Sequence, residues 1–315
     1  MDNIREYIVD QVLQNHLDKK QGARYLQELD DRSASIVKDI AVIGMAGRFP
    51  KAESLAAFWD LLVNGEDCIG PYPMDRQRYV NPYVAGELGI AADQIEYYDG
   101  GYLSRIFDFD AESFHIAPGE AKVIDPQQRI LLQEAAKALL DAGYTREQVN
   151  GSSTGVYIGC SQSDYGRLIP VTEPSAVAGN LASILASRIS YFYNFTGPSL
   201  VIDTSCSSSL VALVQACRDL YEGRIHMAVV GGVNLNLFPV KLDTYGVRTE
   251  APDCRCKAFD EMADGIGSGE GCGVVILKTL TLAKAQNNRI YAVVKGASVN
   301  NDGKTSGITV PNPIA

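Results

Sequence analysis

The strongest candidate for chemistry in this sequence is Cys206, which lies in the run TSCSSSL. It follows the apolar segment Ser199–Asp203, which predicts a buried strand, and it precedes residues 210–220, which predict a helix. The free N–H groups and the dipole at the start of a helix favour an anion such as a thiolate. The serines that follow are small enough to let a substrate approach, and the backbone N–H of Cys206 can donate to an oxyanion. This pattern predicts a nucleophilic cysteine.

The other cysteines fit structural roles better. Cys160 ends a predicted strand, and Cys217 lies on an apolar face of the helix after Cys206. The rest lie in segments that read as loops: Cys68, Cys254, Cys256 and Cys272. A cysteine nucleophile normally works with a histidine, but no histidine of this chain has a context that points to Cys206. The histidines are His16, His115 and His226, so the sequence predicts the nucleophile without its base.

Two patterns resemble ligand sites but lack the context that such sites need. Glycines alternate along residues 265–273, yet this run precedes a strand, whereas a nucleotide fingerprint follows a strand and opens a helix. Cys254 and Cys256 form a C-x-C pair whose spacing to Cys272 is not that of a zinc site, and no histidine lies nearby. We therefore expect no bound cofactor and no metal.

The elements around Cys206 predict an α/β fold. From Asp39 onward strands alternate with helices: Asp125 followed by Pro126 predicts the start of a helix that stops at Gly143, and residues 180–193 predict another. Residues 64–106 show little periodicity, so we expect a long surface excursion there. The helix after Cys206 is apolar nearly all round, which predicts that it is covered on both sides in the middle of a layered structure.

Composition excludes several classes of function. The 315 residues are 46% hydrophobic and carry 28 Lys and Arg against 38 Asp and Glu, which leaves no basic footprint for nucleic acid. No apolar run approaches the roughly 20 residues of a membrane span, and the first residues contain no secretory core. Seven cysteines without an export signal fit a reducing compartment. We expect a cytoplasmic protein with no nucleic-acid or membrane partner.

Residues 1–36 are expected to form a separate unit from residues 37–315. Apolar residues recur at helical spacing in two short helices: Ile4, Ile8, Val12, Leu13 and Leu17, then Tyr25, Leu26 and Leu29. Two interpretations stay open. The unit is either a linker packed on the next domain or a docking element that recruits another chain, because two short amphipathic helices bury little surface alone.

Several motifs share their order and spacing with a known family: IAVIGMAGRFP, FWDLL, IDPQQRILLQEA, RISYFYNFTGPSLVIDTSCSSSLVAL, GGVNL, KAFDEMADGIGSGEG and VNNDG. From about Asp39 to the end, the chain resembles the β-ketoacyl synthase domain of bacterial modular polyketide synthases. The N-terminal helices and the RISYFYNFTGPS segment are most similar to those of subunits of assembly lines whose acyltransferase is a separate protein.

The resemblance implies a thiolase-like αβαβα fold of two related halves, with mainly the N-terminal half present here, and a homodimer. It also implies that Cys206 takes the growing acyl chain from the phosphopantetheine arm of an acyl carrier protein. A malonyl group on the carrier then loses carbon dioxide, and its carbanion condenses with the acyl-cysteine in a Claisen reaction.

The catalytic histidines that the resemblance implies lie in HGTGT and NIGH motifs, which this sequence does not contain. Three interpretations follow. The chain is the N-terminal portion of a condensing enzyme completed by a C-terminal continuation or partner chain, and we favour this one. Alternatively, it loads acyl groups on Cys206 without elongating them. The third possibility is a non-catalytic structural or docking subunit of the assembly line.

Overall fold

The first described elements are two short helices that pack together. The structure is a computed structural model that describes residues 2–14, 16–26, 39–161, 163–169, 174–241, 249–307 and 310–312. Helix α1 spans Asp2–Leu13 and helix α2 spans residues 19–26. A Cβ atom at Gly22 would lie 2.3 Å from Val12 Cγ2, so glycine permits the close approach of α2 to α1. Leu29 and the proposed boundary after residue 36 lie outside the described residues.

The described residues from 39 onward form one mixed six-stranded sheet in the order β3-β2-β4-β5-β1-β6. Strand β2 pairs in parallel with β3 and β4, and the other pairs are antiparallel. Every residue of β2 is buried, as expected for a strand covered on both faces. The strands are β1 (Ile40–Arg48), β2 (Thr154–Gly159), β3 (Ser199–Ile202), β4 (Met227–Asn234), β5 (Gly271–Thr279) and β6 (Ala292–Val294).

Helices cover both faces of this sheet and enclose two apolar cores. On one face, Ile130 of α6 and Leu185 of α9 share a core with Ile158 of β2. On the other face, Ala212 of α10 packs with Tyr157, the neighbour of Ile158 in the same strand. The remaining helices are short or peripheral. The helices are α3 (Leu55–Asn64), α4 (Met74–Leu88), α5 (Pro118–Val123), α6 (Pro126–Asp141), α7 (Arg146–Val149), α8 (Pro174–Asn180), α9 (Ile184–Tyr193), α10 (Ser208–Tyr221) and α11 (Leu280–Ala285).

The start of α6 is confirmed, and the prediction for residues 64–106 is wrong. Asp125 caps α6 by accepting a hydrogen bond from the backbone N–H of Gln127. Residues 64–106 contain α4, whose Val80 and Val84 form a buried cluster with Tyr72. The sequence pattern does not predict this helix, because Pro82 and several polar residues interrupt its apolar periodicity.

Three further expectations need correction. The helix predicted from residue 180 begins later, at Ile184, and a separate helix, α8, ends at Asn180. Cys272 is not in a loop but is buried in β5. Leu210, in the first turn of α10, is 68% exposed, so the described residues leave part of the apolar surface of this helix open. Among the described residues, no helix is both long and apolar enough to cross a bilayer.

We predict that Tyr157→Phe destabilises the contact between the sheet and α10. The Tyr157 hydroxyl donates to Asp219 Oδ2 at 2.5 Å, and both residues are buried. Loss of a buried hydrogen bond to a charged group should lower the free energy of unfolding by about 1.5–3 kcal/mol in urea titrations. Tyr191→Phe is the control, because this tyrosine is 89% exposed. Equal stability of the two variants would contradict the prediction.

Candidate active site

Cys206 lies on a tight turn between the sheet and α10. Strand β3 ends at Ile202, residues Ser205–Ser207 form a single 3-10 turn, and α10 begins at Ser208. Ser205 adopts a φ of 54°, in the left-handed region that non-glycine residues rarely occupy. Such strained conformations persist only where the surrounding structure enforces them, and they cluster at functional sites.

Hydrogen bonds of small side chains hold this turn in shape. The Ser208 hydroxyl donates to the carbonyl of Ser205 at 2.6 Å and accepts from the backbone N–H of Thr204 at 2.9 Å. The carboxylate of Asp203 accepts from the backbone N–H of Ser205 at 3.0 Å. This bond, together with one from the Ser161 hydroxyl, holds the pKa of Asp203 below its usual value. The turn that presents Cys206 is therefore fixed on both sides of the cysteine.

Two glycines let α10 approach the sheet. Gly159, the last residue of β2, pairs with Gly232, which lies near the end of the parallel strand β4. A Cβ atom at Gly159 would lie 2.4 Å from the backbone nitrogen of Ser209, and one at Gly232 would lie 2.9 Å from Ser209 Cβ. Any side chain at Gly159 would therefore displace the first turn of the helix.

Cys206 opens into a cavity of about 670 Å³. Backbone and small side chains make up most of its lining: Gly159, Ser161, Ser205, Ser208, Ser209, Gly232, Gly269, Gly271 and Gly273. Phe49, Val233 and Asn234 also contribute, and so does Glu270. Glycine and serine leave room for a long, narrow substrate to reach the sulfur.

The environments of the cysteines separate Cys206 from most of the others. Cys206 and Cys256 are exposed, and Cys68 is half-buried. Burial raises the pKa of the Cys217 thiol to about 11, and it raises that of Cys272 further. These two thiols therefore stay protonated and inert near neutral pH. Cys256 is exposed but does not line the cavity that contains Cys206.

None of the three histidines lies in this cavity. His16, His115 and His226 are all exposed at the surface and are not among its lining residues. No group of three or more His, Cys, Asp or Glu side chains could hold a metal ion within the described ranges.

Sequence reasoning missed four residues that shape the site. Gly159 is the last residue of β2 and Gly232 lies within β4, and a glycine in a strand is a signal for close backbone approach. Glu270 reaches the cavity and forms an ion pair with Arg76. Nothing in the spacing of that pair along the chain indicated that the two residues meet.

Comparison with known proteins identifies relatives along most of this chain. The sequence model of the family described as "Beta-ketoacyl synthase, N-terminal domain" matches residues 37–283. Polyketide synthase PksM of Bacillus subtilis is 40% identical over 295 residues, which are 90% of this chain and 7% of PksM. Polyketide synthase ThaG of Burkholderia thailandensis is 40% identical over 286 residues, which are 89% of this chain and 5% of ThaG.

Solved structures agree with the sequence relatives. The ketosynthase from module 6 of the bacillaene synthase of Bacillus subtilis 168 is 39% identical, with a TM-score of 0.74 over 87% of this chain and 46% of that one. The oxazolomycin ketosynthase domain OzmH KS7 of Streptomyces albus JA3453 is 38% identical, with a TM-score of 0.76 over 88% and 48% of the two chains. The chain thus has the predicted thiolase-like fold and spans less than half of these ketosynthase structures.

We predict that Gly159→Ala disturbs the turn that carries Cys206. The new methyl group would meet backbone atoms of Ser209, which cannot rotate away, so α10 must shift. Overpacking of this kind should lower the free energy of unfolding by about 1–3 kcal/mol and slow alkylation of Cys206 by iodoacetamide. Gly86→Ala is the matched control, because no atom lies within 4 Å of its new methyl group. Unchanged stability and alkylation in Gly159→Ala would refute the steric argument.

Proposed function

Because the chain belongs to the β-ketoacyl synthase family, we propose that it serves polyketide chain elongation with Cys206 as the acyl-carrying residue. The observation that carries this proposal is the placement of Cys206. An exposed thiol lies at the start of α10 and opens into a cavity walled by glycine and serine. The reaction is a decarboxylative Claisen condensation, catalysed by an acyltransferase of the condensing type.

The first half-reaction moves an acyl group onto Cys206. The sulfur of Cys206 attacks the carbonyl carbon of a thioester, and the C–S bond to the carrier breaks. The carrier thiolate leaves and takes up the proton that Cys206 gave up. The backbone N–H of Cys206 can donate to the oxyanion of the tetrahedral intermediate. This chain supplies the nucleophile and an oxyanion donor for this step.

The second half-reaction forms the new carbon–carbon bond. A malonyl thioester loses carbon dioxide, and the resulting carbanion attacks the acyl carbonyl on Cys206. The C–S bond then breaks, and Cys206 leaves as a thiolate, which takes up a proton from water. In the family resemblance, histidines of HGTGT and NIGH motifs assist this step, and those motifs are not among these 315 residues. We propose that a C-terminal ketosynthase portion, in the same polypeptide or a second chain, supplies them.

The acyl groups are proposed to arrive on the phosphopantetheine arm of an acyl carrier protein. A long, flexible arm suits a thiol that lies inside an open cavity, because the carrier itself need not enter. The chain's own glycines and serines would contact the arm through backbone and hydroxyl groups. This arm belongs to the substrate carrier, so we propose no cofactor bound to the chain itself.

We also propose that the protein forms a homodimer through the open edge of β3. Pro198 and Ile202 accept hydrogen bonds from β2, so the backbone groups of the alternate residues Ser199 and Val201 point away from the sheet. An unpaired strand edge is a template for pairing with another chain. Leu200 is 40% exposed on this edge, which adds apolar surface for a partner.

Residues 1–36 are proposed to dock to a neighbouring assembly-line subunit. Ile4, Tyr7 and Leu13 of α1 are all more than half exposed, so α2 does not cover the apolar surface of α1. A reducing, cytoplasmic setting is proposed as well, because the described cysteines form no disulfide bond with one another.

We predict that Cys206→Ala abolishes acylation of the full-length protein. Incubation with an acyl thioester should add one acyl mass to the native protein, on the peptide that contains Cys206. The Cys206→Ala variant should show no adduct and form no condensed product with malonyl carrier. Cys256→Ala is the matched control, because it removes the other exposed cysteine and should leave the adduct in place.

The outcomes separate the three interpretations of the sequence. An adduct on Cys206 without loss of carbon dioxide from malonyl carrier would indicate acyl transfer alone. Unchanged product output after Cys206→Ala would indicate a structural or docking subunit and overturn the proposed chemistry.

We predict that Leu200→Lys shifts the protein from dimer to monomer. A lysine at the edge of β3 would put like charges together across a two-fold pairing of this strand. Size-exclusion chromatography with light scattering measures the change. Leu140→Lys is the control, since Leu140 is 64% exposed on α6, away from the edge strand. A monomeric native protein, or a Leu200→Lys variant that stays dimeric, would exclude this interface.

A further inference from the structure

A buried ion pair lies behind one wall of the cavity. We call residues 269–271 the glycine wall, because Gly269 and Gly271 line the cavity on either side of Glu270. Arg76 Nη1 lies 2.6 Å from Glu270 Oε1, and Arg76 Nη2 lies 2.8 Å from Oε2. The side chains are 1% and 0% exposed. Such a two-pronged pair is geometrically specific, and both charges must be satisfied because water is excluded.

The rest of the hydrogen-bonding capacity of the pair is used to join separate segments. The backbone N–H of Leu103 donates to Glu270 Oε2 at 2.7 Å, and that of Asn236 donates to Oε1 at 2.9 Å. Arg76 also donates to the carbonyl of Leu103. The pair therefore joins α4, the segment after it and the residues that follow β4 to a single carboxylate.

The glycine wall depends on these neighbours for its position. Glu270 donates its backbone N–H to the carbonyl of Gly101 at 2.7 Å, and Asn234 Nδ2 donates to the carbonyl of Gly269 at 3.0 Å. No atom lies within 4 Å of a Cβ built on Gly269, so this residue faces open space. Gly271 begins β5 and pairs with Asn234 of β4, so the sheet holds that end of the wall. Because Gly269 has no side chain to pack, hydrogen bonds and the ion pair hold the rest.

We propose that Arg76 is a positioning residue, which through Glu270 fixes the glycine wall and so determines which acyl groups the cavity admits to Cys206. Arg76 itself does not line the cavity. This inference rests on the proposed acylation of Cys206. Without the guanidinium, Glu270 is a buried carboxylate that lacks its cation, and it must bind a proton or draw in water. Either change alters the hydrogen bonds that hold the wall.

The test compares acyl selectivity in the full-length protein. The rate constants for acylation of Cys206 by acetyl and by octanoyl N-acetylcysteamine thioesters are measured by intact mass, and their ratio is taken. This ratio does not depend on the fraction of protein that is folded. In Arg76→Met we expect it to change by about tenfold, because small displacements of a binding wall have large effects on rate.

Two further variants distinguish positioning from a general loss of stability. Arg76→Lys keeps the charge but loses the planar fork, so its ratio should lie between those of the native protein and Arg76→Met. Arg289→Met is the control, because it removes an exposed arginine that pairs with Asp141 at 3.7 Å, and it should keep the native ratio.

Two results would overturn the positioning role of Arg76, and a third would overturn the proposed function. A native ratio in Arg76→Met, with Cys206 still acylated, overturns the positioning role and leaves the proposed function intact. If Arg76→Met does not fold, a native ratio in Arg76→Lys overturns it. Failure of the native protein to acylate Cys206 at all overturns the proposed function, and this inference falls with it.

Discussion

The candidate site depends on how closely α10 approaches the sheet. The first turn of this helix lies against the ends of β2 and β4, where Gly159 and Gly232 leave no side chain in the way. A helix start placed there directs its dipole and its free N–H groups toward the turn that carries Cys206. Because backbone atoms form this contact, substitutions of surrounding side chains cannot easily reproduce or relieve it. The chemistry of the thiol is thus a consequence of packing between backbone segments.

A different kind of interaction, between buried charges, holds the glycine wall. There Gly269 has open space where a side chain would lie, and a buried charge pair with its hydrogen bonds keeps residues 269 and 270 in place beside the start of β5. An isolated buried charge is costly, so the pair of Arg76 and Glu270 tolerates little displacement. One side of the cavity is therefore fixed by steric contact and another by electrostatics. The two together define the space around Cys206.

Local signals in the sequence predicted the nucleophile but not its surroundings. An apolar segment, a turn of small residues and an apolar helix placed Cys206 correctly just before a helix start, although the strand, predicted to be buried, is an edge strand with no buried residue. Asp125 with Pro126 correctly marked the start of α6. Each of these signals lies within a few residues. The contact of Arg76 with Glu270 joins positions far apart in the chain, and the excursion that carries Arg76 lacks apolar periodicity. Such contacts depend on the topology of the whole sheet, and the periodicity of apolar residues along the chain carries no information about that topology.

The cavity also explains why backbone position should govern selectivity. A pocket lined by bulky side chains selects by their shape, and one substitution alters the choice. Here glycine and serine line much of the space, so few side chains are available to discriminate between the acyl groups of the proposed reaction. Discrimination must then come from where the backbone lies, and residues outside the cavity control that position. Arg76 meets this condition, since it is buried, charged and joined through Glu270 to the wall itself. A residue that determines selectivity in this way would not be found among the residues that line the cavity.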